Sequence, residues 1–365
     1  MVFKYYIHQY LSEFSKVNHK FWNYEDSCVM LGAQYLYEAT GEDFYLDSIK
    51  SFYEDYIEAD GTILYYDKDE YSLDKVPSAR PLFFLHKKTG EARYLAAIER
   101  IAGQLRKQPR TGGGNYWHKG IYPDQIWLDG LYMAQPFVVE YERHFGPSGG
   151  YTDMVTQFVN VRKLLFDKET SLYYHCYDET KSMFWADKET GRSPNFWSRA
   201  IGWHMMAMID CYELLPESKA AERETIADLF VEAVNGILPF QDKSTGLLYQ
   251  LPALPEEEGN YLETSASVML AYSLLKGCRL GVLEKISGSQ GEMILISVAL
   301  NKMKLEAGRL SLVDICPGTG LGPADNLRRD GSISYYLSET PLADEQKGAG
   351  ALMMAYGEFL KYKNK

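Results

Sequence analysis

A short segment of this chain occurs twice, with several residues in the same register. Residues 36–49 read Leu-Tyr-Glu-Ala-Thr-Gly-Glu-Asp-Phe-Tyr-Leu-Asp-Ser-Ile, and residues 85–98 read Leu-His-Lys-Lys-Thr-Gly-Glu-Ala-Arg-Tyr-Leu-Ala-Ala-Ile. The shared glycines, Gly41 and Gly90, suit the position just after a helix, where a left-handed backbone is common. Because the next apolar stretch begins almost at once, the repeat predicts short joints between the two helices of a hairpin.

Apolar residues at the spacing of an α-helix recur along the whole chain. The twelve predicted helices lie near residues 3–16, 24–39, 43–58, 79–88, 92–107, 124–143, 151–166, 196–213, 219–238, 262–278, 289–306 and 342–362. No part of the sequence alternates strands and helices in the way that a parallel sheet requires, so the pattern disfavours Rossmann and TIM-barrel folds.

A second, looser repeat lies between the predicted helices. A polar turn followed by a short aromatic strand occurs at residues 60–66, 167–174, 242–249 and 330–336, and each unit predicts one arm of a small β-hairpin. Long connections with these units alternate with the short joints, which favours a closed ring of six helical hairpins whose long loops build one mouth. The alternative is an open α-solenoid, whose repeats would be shorter and more regular.

No shift in composition marks a domain boundary, so we expect one domain over residues 1–365. The net charge of −12 and the lack of a basic block disfavour nucleic acid as a partner, but not an acidic small substrate. The five cysteines are scattered and odd in number, and predict buried free thiols in a reducing compartment. We expect no metal, cofactor or protein partner. With neither an apolar run of 18 residues nor the apolar core of a signal peptide, we expect a cytoplasmic protein; the alternative is a periplasmic or secreted protein whose signal peptide has been removed.

The stretch from Tyr122 to Ala134 places a carboxylate among large apolar residues. The neighbours of Asp129 in this stretch are Ile126, Trp127, Leu128, Leu131, Tyr132 and Met133. Burying a carboxylate is costly unless it is paired or protonated, and desolvation favours the protonated form that a general acid needs near neutrality. A structural aspartate with a backbone or arginine partner is the alternative, and this stretch alone supports both equally.

A second unusual stretch covers residues 195–206. On a helix, Arg199 and Trp203 lie four residues apart and share a face. A guanidinium beside an indole suits a sugar that carries a carboxylate, since the cation binds the carboxylate and the ring packs on the sugar. The alternative is an arginine paired with an aspartate of the core.

The loop at residues 111–123 contains three glycines and then Trp117-His118-Lys119. It lacks a phosphate-binding motif, and we expect a mobile loop that presents His118 and Lys119 at the mouth. His175, in the second turn–strand unit, either binds substrate or is an ordinary loop histidine. Asp74 follows the first unit and offers the second carboxylate that sugar chemistry often uses.

With these residues assembled, the chain resembles the unsaturated rhamnogalacturonyl hydrolases of glycoside hydrolase family 105, close relatives of the family 88 unsaturated glucuronyl hydrolases. The resemblance runs from about residue 20 to the end. The segments that carry it are Trp117–Lys119, Trp127–Ala134, Phe196–Trp203, Glu263–Ser267 and Lys347–Ala351. It implies an (α/α)6 barrel, in agreement with the six predicted hairpins.

The resemblance also implies roles for nine residues. Asp129 matches the catalytic acid and base. The residues that match the lining of the substrate pocket are Asp74, His118, Trp127, Met133, His175, Arg199, Trp203 and, through a looser N-terminal match, Tyr24. Around Arg199 the family often has Gly-Arg-Gly-Asn-Gly-Trp, whereas this chain has Ser198 and Ala200-Ile201. The contacts to the sugar rings, and the sugar preferred beyond the uronate, therefore stay open.

The implied substrate is an oligosaccharide made by a polysaccharide lyase, such as unsaturated rhamnogalacturonan disaccharide, with a C4=C5 double bond in its non-reducing uronyl residue. Protonation at C4 by Asp129 would give an oxocarbenium ion at C5, to which water activated by the same carboxylate would add. The resulting hemiketal collapses and releases the remaining oligosaccharide, while Asp74 orients substrate or water.

Three alternatives remain open at this point. An unsaturated glucuronyl hydrolase would act on other polysaccharides by the same chemistry. A sugar epimerase or isomerase on the same barrel would use paired histidines, for which His118 and His175 are the candidates. A non-catalytic helical scaffold would bind a protein partner and would leave Asp129 unexplained.

Overall fold

The computed structural model describes residues 2–14, 20–147 and 149–364. The described chain is mainly helical, with short antiparallel strand pairs in the connections. The helices are α1 (Val2–Phe14), α2 (Tyr24–Thr40), α3 (Asp43–Glu54), α4 (Arg80–Thr89), α5 (Ala92–Leu105), α6 (Leu128–Phe145), α7 (Gly150–Leu165), α8 (Ser198–Leu214), α9 (Ala220–Ile237), α10 (Thr264–Arg279), α11 (Lys285–Asn301), α12 (Ile333–Leu337) and α13 (Gln346–Lys363). The paired strands are β1 (Gln125–Trp127) with β2 (Cys176–Asp178), β3 (Leu248–Tyr249) with β4 (Leu262–Glu263), and β5 (Met303–Glu306) with β6 (Arg309–Leu312).

Six helices form a closed inner ring. In order around the ring, α2, α4, α6, α8, α10 and α13 each pack on the next, and α13 packs back on α2. Helices α3, α5, α7, α9 and α11 each follow an inner helix and pack on it. Helix α1 completes the outer layer, because Phe3 contacts Tyr356 of α13 and Phe14 contacts Phe52 of α3. The (α/α)6 barrel is confirmed, and the open solenoid is wrong.

The sequences of the inner helices explain their place in the ring. Every residue of α8 from Ser198 to Cys211 is buried, and so is every residue of α10 from Thr264 to Gly277. A helix that is apolar on all sides belongs in the interior, whereas outer helices need one apolar stripe. Outer α5 shows this stripe, with Tyr94, Ile98 and Ile101 among its buried residues.

The predicted joints between helices are confirmed. Gly41 and Gly90 follow α2 and α4 with left-handed φ values of 72° and 74°. Their amides donate to the carbonyls of Tyr37 and His86, both at 2.8 Å. Each glycine is followed within two residues by the next helix, so an inner helix turns directly into its outer partner.

The turn–strand units are confirmed in three places and wrong in the fourth. Bridges pair Ile57 with Ile63 and Phe166 with Tyr173, and the third unit ends in β3. Residues 330–336 instead enter helix α12, because the Ser332 side chain accepts a hydrogen bond from the Tyr335 amide and so caps a helix.

Two helix boundaries also differ from the prediction. The helix expected at 289–306 runs from Lys285 to Asn301, and strand β5 takes its last residues. Strand β1 occupies the beginning of the helix expected at 124–143. Residues 15 and 16 of the first predicted helix lie outside the described residues.

The described cysteines agree with the sequence prediction of free thiols. Cys28, Cys176, Cys211 and Cys316 are buried, Cys278 is half-buried, and all five are unbridged. Among the described residues, none of the helices has the length and apolar character that crossing a membrane requires.

One buried histidine couples the stability of this ring to pH. His204 of α8 is 1% exposed, and its ring lies 4.7 Å from Tyr173 and 5.6 Å from Phe158. Burial lowers the pKa of His204 to about 3. Below about pH 6.5 the His204 imidazole therefore binds a proton in the unfolded chain but stays neutral in the folded chain. The free energy of unfolding accordingly falls as the pH falls through this window.

We therefore expect His204→Phe to flatten the pH dependence of stability. The variant keeps the aromatic contacts and removes the titrating group. Between pH 6 and pH 4 its free energy of unfolding should therefore fall less steeply than that of the wild type, and the two slopes should differ by about 1.4 kcal/mol per pH unit. Urea denaturation at several pH values measures this slope. His144→Phe, which replaces an exposed histidine, is the control and should change the slope less. Equal slopes for His204→Phe and the wild type would contradict the assignment.

Candidate active site

The first turns of the inner helices converge at one end of the barrel. Since inner and outer helices alternate along the chain from α2 to α11 and α13 returns after α11, the six inner helices run in the same direction. Tyr24 begins α2, and Asp129, Arg199 and Lys347 are the second residues of α6, α8 and α13. The partial positive charges of the helix N-termini meet at this end, which favours a negatively charged ligand.

Asp129 lies beside His175 at this end. The Asp129 side chain is buried, with the whole residue 8% exposed, and its Oδ2 lies 3.0 Å from His175 Nε2. The approach is off the direction that a hydrogen bond requires, so both atoms lack a hydrogen-bond partner in the described part of the chain. Strand pairing explains the contact: β1 pairs with β2, and the Leu128 amide donates to the His175 carbonyl at 2.9 Å.

His175 is held from its other side. Its Nδ1 lies 2.7 Å from the Tyr336 hydroxyl, and its ring lies 4.8 Å from that of Trp197. His175 has no exposed surface, so it is a buried histidine and not an exposed one in a loop. The Tyr336 hydroxyl can donate to this nitrogen or accept from it, and the histidine can therefore adopt either tautomer.

Asp74 is a paired carboxylate, unlike Asp129. Its Oδ2 lies 2.5 Å from Lys119 Nζ, and its Oδ1 lies 3.4 Å from His118 Nε2. Burial raises the pKa of the Asp74 carboxyl, but Lys119 and His118 outweigh burial and hold the pKa below its usual value. Asp74 therefore stays ionised and bound to its neighbours.

His118 and Trp127 form one wall of the site. Their rings are stacked, with centroids 4.5 Å apart and planes at 9°, and Tyr122 also stacks on Trp127 at 4.7 Å. Burial lowers the pKa of His118 to about 4, so this ring is neutral at physiological pH. The stack presents a neutral, aromatic surface beside two carboxylates.

The expectation that a mobile loop exposes His118 is wrong. His118 is 3% exposed, its amide donates to the Gln125 carbonyl, and its carbonyl accepts from the Leu73 amide. The glycines of the same loop are also held, because the Glu179 carboxylate accepts from the amides of Gly112 and Gly113. Tertiary hydrogen bonds that the local sequence does not reveal therefore fix this segment.

Arg199 is buried without an acidic partner. It is 1% exposed, its Nη1 donates to the Cys316 carbonyl, and its guanidinium carbon lies 4.6 Å from the centroid of the Trp197 ring. Burial lowers the pKa of Arg199, the neighbouring Cys316 and Glu263 raise it, and the net pKa lies above the usual value. No ion pair joins Arg199 to any described aspartate or glutamate, so its interpretation as half of a core salt bridge is wrong.

Two of the predicted pocket residues lie beneath the site. Trp203 has no exposed surface and stacks on Tyr132 at 4.4 Å, while Tyr24 meets it edge-on at 6.3 Å. Met133 is 1% exposed and lies one turn below Asp129 in α6. Trp203 and Met133 therefore support the site from the ring interior, and the indole beside the Arg199 guanidinium is that of Trp197.

Several residues of the site were not predicted from the sequence. Tyr336 lies in a segment predicted as a strand, and Trp197 stands in the quoted motif without an assigned role. Lys347 lies in the first turn of α13, pairs with Glu345 and lies 5.7 Å from the centroid of the Tyr24 ring. The signal for Lys347 was its position in the Lys-Gly-Ala-Gly-Ala motif, at the start of the last predicted helix.

Comparisons with known proteins agree with this architecture. The sequence model of Glycosyl Hydrolase Family 88 matches residues 2–363. Protein Atu3128 of Agrobacterium fabrum is 38% identical over 235 residues, which cover 62% of this chain and 98% of that protein. The unsaturated rhamnogalacturonyl hydrolase YesR of Bacillus subtilis is 29% identical over 265 residues, which cover 71% of this chain and 72% of YesR.

A solved structure extends the agreement to nearly the whole chain. It is a glycoside hydrolase of family 105 from C. acetobutylicum ATCC 824, with 36% identity and a TM-score of 0.92, and the match covers 98% of this chain and 99% of that one. The chain therefore belongs to the glycosyl hydrolases of family 88 and the related family 105.

Proposed function

We propose that this protein removes the unsaturated 4,5-ene uronyl residue from the non-reducing end of oligosaccharides that a polysaccharide lyase has produced. The observation that carries the proposal is the Asp129 carboxylate, which is buried and has one oxygen without a hydrogen-bond partner, 3.0 Å from His175. Family membership and the likeness to YesR support unsaturated rhamnogalacturonan disaccharide as the substrate.

The other site carboxylates are committed to partners. Asp74 is held by Lys119 and His118. The Glu263 carboxylate accepts from the amides of Ser265, Ala266 and Cys316. Ordinary glycoside hydrolysis uses two carboxyl groups as acid and base, or as acid and nucleophile. Asp129 has the oxygen that is free to react, which favours a reaction that needs one carboxyl group.

Hydration of the double bond is such a reaction. Protonated Asp129 gives its proton to C4, and the positive charge develops at C5 and the ring oxygen. The Asp129 carboxylate then takes a proton from water as the water oxygen bonds to C5, so the carboxyl group is protonated again. The hemiketal formed at C5 rearranges and releases the rest of the oligosaccharide. One general acid and base therefore serves both steps.

His175 is suited to follow Asp129 through these two protonation states. When Asp129 is ionised, a neutral His175 with its proton on Nε2 can donate to it while Nδ1 accepts from the Tyr336 hydroxyl. When Asp129 is protonated, the opposite tautomer can accept from it while Nδ1 donates to Tyr336. A small rotation of the imidazole would convert the 3.0 Å approach into a hydrogen bond.

The charges at the mouth suit a uronate. Arg199 is buried without an ion pair in the described chain, and Lys347 lies near Tyr24 at the start of α13. The inner helices also begin here, and their N-termini carry fixed positive partial charges. The carboxylate of an acidic sugar would exchange its contacts with water for contacts with these charges. We assign the sugar carboxylate to Arg199.

The rival activities fit the arrangement less well. An epimerase that used paired histidines would need both rings accessible, yet His118 is 3% exposed, stacked on Trp127, and its Nε2 lies 3.4 Å from Asp74. A non-catalytic scaffold gives no reason for a buried Arg199 that lacks an ion pair in the described part of the chain. An unsaturated glucuronyl hydrolase would use the same residues and remains the second candidate, supported by the match to family 88.

Organisation and location follow as further proposals. We propose a single domain over residues 1–365, since packing of α13 on α2 joins the two ends of the described ring. We place the protein in the cytoplasm, because five unbridged cysteines suit a reducing compartment.

Replacing the reactive carboxyl group tests the proposed chemistry. Asp129→Asn keeps the shape of the side chain and removes the acid, so turnover should fall by about 10³-fold, measured as loss of the ultraviolet absorbance of the C4=C5 bond. Asp124→Asn, five residues earlier and outside the site, is the matched control and should keep its activity. Circular dichroism should be unchanged in both variants. Near wild-type turnover by Asp129→Asn would reject the assignment.

Tyr336→Phe tests the positioning of His175. Losing the hydroxyl frees Nδ1, so kcat should fall by about tenfold with little change in KM, and the pH profile of kcat should shift. The neighbouring hydroxyl of Tyr335, which donates to the Gly320 carbonyl, gives the control variant Tyr335→Phe with an unshifted profile. A loss of thermal stability in Tyr336→Phe with unchanged kcat and pH profile would show that the bond is merely structural.

A further inference from the structure

The outward face of helix α11 carries four large apolar side chains that are exposed. Ile286 is 63% exposed, Met293 62%, Ile296 50% and Leu300 77%. Each of the other described helices has at most one exposed apolar side chain of this size. Single apolar residues on a surface are ordinary, whereas a group on one element marks a site of association. We name these four residues the α11 stripe.

The spacing of the stripe is that of a seam between two helices. Met293 lies seven residues after Ile286, Leu300 lies seven residues after Met293, and Ile296 lies three residues after Met293. Side chains at these separations fall on one side of an α-helix, and they are the positions through which paired helices contact each other. The stripe extends over about 21 Å of α11, since a helix rises by about 1.5 Å per residue.

The stripe is not the face by which α11 joins the barrel. That face contains Ile294, Leu295 and Val298, which are buried. Gly291 lies so close to α10 that a Cβ there would stand 2.8 Å from Cγ of Leu275. Helix α11 is therefore apolar on both sides, as is typical of a helix that is covered on both sides. The described chain covers only one of them.

The exposed face of α11 also lacks the charges of other outer helices. Helices α3 and α5 expose charged residues such as Asp47 and Arg100. In α11, which is described throughout, the only charged residue that is exposed is Lys285, while Glu292 is half-buried and pairs with Lys363 at 2.7 Å. Such a face offers no counter-charge to an acidic or basic partner, and it suits another uncharged apolar face.

A second copy of this chain provides a face of that kind. In a dimer with two-fold symmetry, the same patch of both copies meets across the axis. Met293 and Ile296 lie in the middle of the stripe, so an axis through the middle places them against their own counterparts. Ile286 and Leu300 lie at opposite ends, so each meets the other residue in the second copy. The stripe is thus complementary to itself.

The charge of Lys285 favours antiparallel helices in such a pair. Lys285 is the first residue of α11, and the last turn of α11 has no basic residue. A positive charge is unfavourable at the N-terminus of its own helix and favourable beside a C-terminus. In an antiparallel pair, Lys285 lies beside the C-terminus of α11 in the second copy. In a parallel pair, the two Lys285 side chains would repel each other.

The stripe lies on the outer wall of the barrel, away from the mouth. Helix α11 belongs to the outer layer, whereas the candidate active site lies at the N-termini of the inner helices. Two copies joined through α11 therefore leave both sites open to substrate.

We propose that this protein is a homodimer in which α11 packs on α11 of the second copy, antiparallel and related by a two-fold axis. Met293 and Ile296 of both copies form the centre of the interface, and Ile286 contacts Leu300 of the other copy at each end. Lys285 of each copy lies beside the C-terminus of the other α11. This inference goes beyond the proposed function and does not depend on it.

Met293→Lys tests the interface by placing like charges at its centre. Sedimentation velocity from about 1 to 100 µM should show the wild type passing from one chain to two, and the variant should have a dissociation constant raised by about 100-fold or more. Tyr5→Lys, which replaces a residue of α1 that is 58% exposed, is the matched control and should leave the constant unchanged. Ile296→Lys serves in the same way if Met293→Lys does not fold. A monomeric wild type at all these concentrations would overturn the proposal, and so would a Met293→Lys variant that dimerises normally.

Single cysteines test the two-fold axis and the direction of the helices. With a short thiol-specific crosslinker, Met293→Cys should join two copies, because this position faces itself. Leu300→Cys alone should not, because the two thiols lie about 20 Å apart along the paired helices, but a mixture of Leu300→Cys and Ile286→Cys should. The wild type controls for the natural cysteines. Crosslinking of Leu300→Cys with itself, and not with Ile286→Cys, would contradict the antiparallel arrangement.

Thermal unfolding gives an independent measurement. The melting temperature of the wild type should rise with protein concentration, because association stabilises the folded state, whereas that of Met293→Lys should not. Turnover per chain should be equal in the two proteins, since the stripe is remote from the mouth. A melting temperature of the wild type that is independent of concentration would count against the dimer.

Discussion

Close packing of α13 on α2 is the contact on which the ring depends. Gly350 of α13 lies so near α2 that a Cβ there would stand 2.3 Å from the backbone carbon of Cys28. No other residue type allows this approach without moving one of the helices. Because the contact joins the last inner helix to the first, it converts a row of helical hairpins into a closed barrel. Closure brings Tyr24 and Lys347, from opposite ends of the sequence, to the same mouth.

The buried charged side chains at this mouth differ in whether they have partners. Asp74 is paired with Lys119, and Glu263 accepts hydrogen bonds from the first amides of α10. Asp129 and Arg199 are the exceptions, since both are buried and neither has an ion-pair partner that satisfies it fully. Keeping two such groups costs stability, and the proposed binding of an anion and transfer of a proton would explain why the protein keeps them.

Local patterns in the sequence predicted the elements better than the contacts between them. The spacing of apolar residues in a helix and the joints at Gly41 and Gly90 each depend on residues that are close in the sequence. The structure confirms both. Asp129 was recognisable because a carboxylate among aromatic residues is unusual wherever it folds. Burial of His118 depends on hydrogen bonds to distant backbone, and no local signal reports it. The helix that carries Tyr336 was missed because its cap at Ser332 resembles a polar turn before an aromatic strand.

Gln250 and Tyr261 show why contacts between distant segments are hard to predict from one sequence. Gln250 and Tyr261 become neighbours only through the register of a two-residue strand pair, on either side of an acidic loop. Neither residue is unusual in its own segment, and both meet Cys316 only once the chain is folded. Asp129 and Arg199 are charged residues among apolar neighbours in the sequence, and this is visible before folding. Gln250 and Tyr261 become unusual only through contacts that folding creates. The proposed reactive group, Asp129, could thus be inferred from the local sequence, whereas contacts between distant segments follow only from tertiary structure.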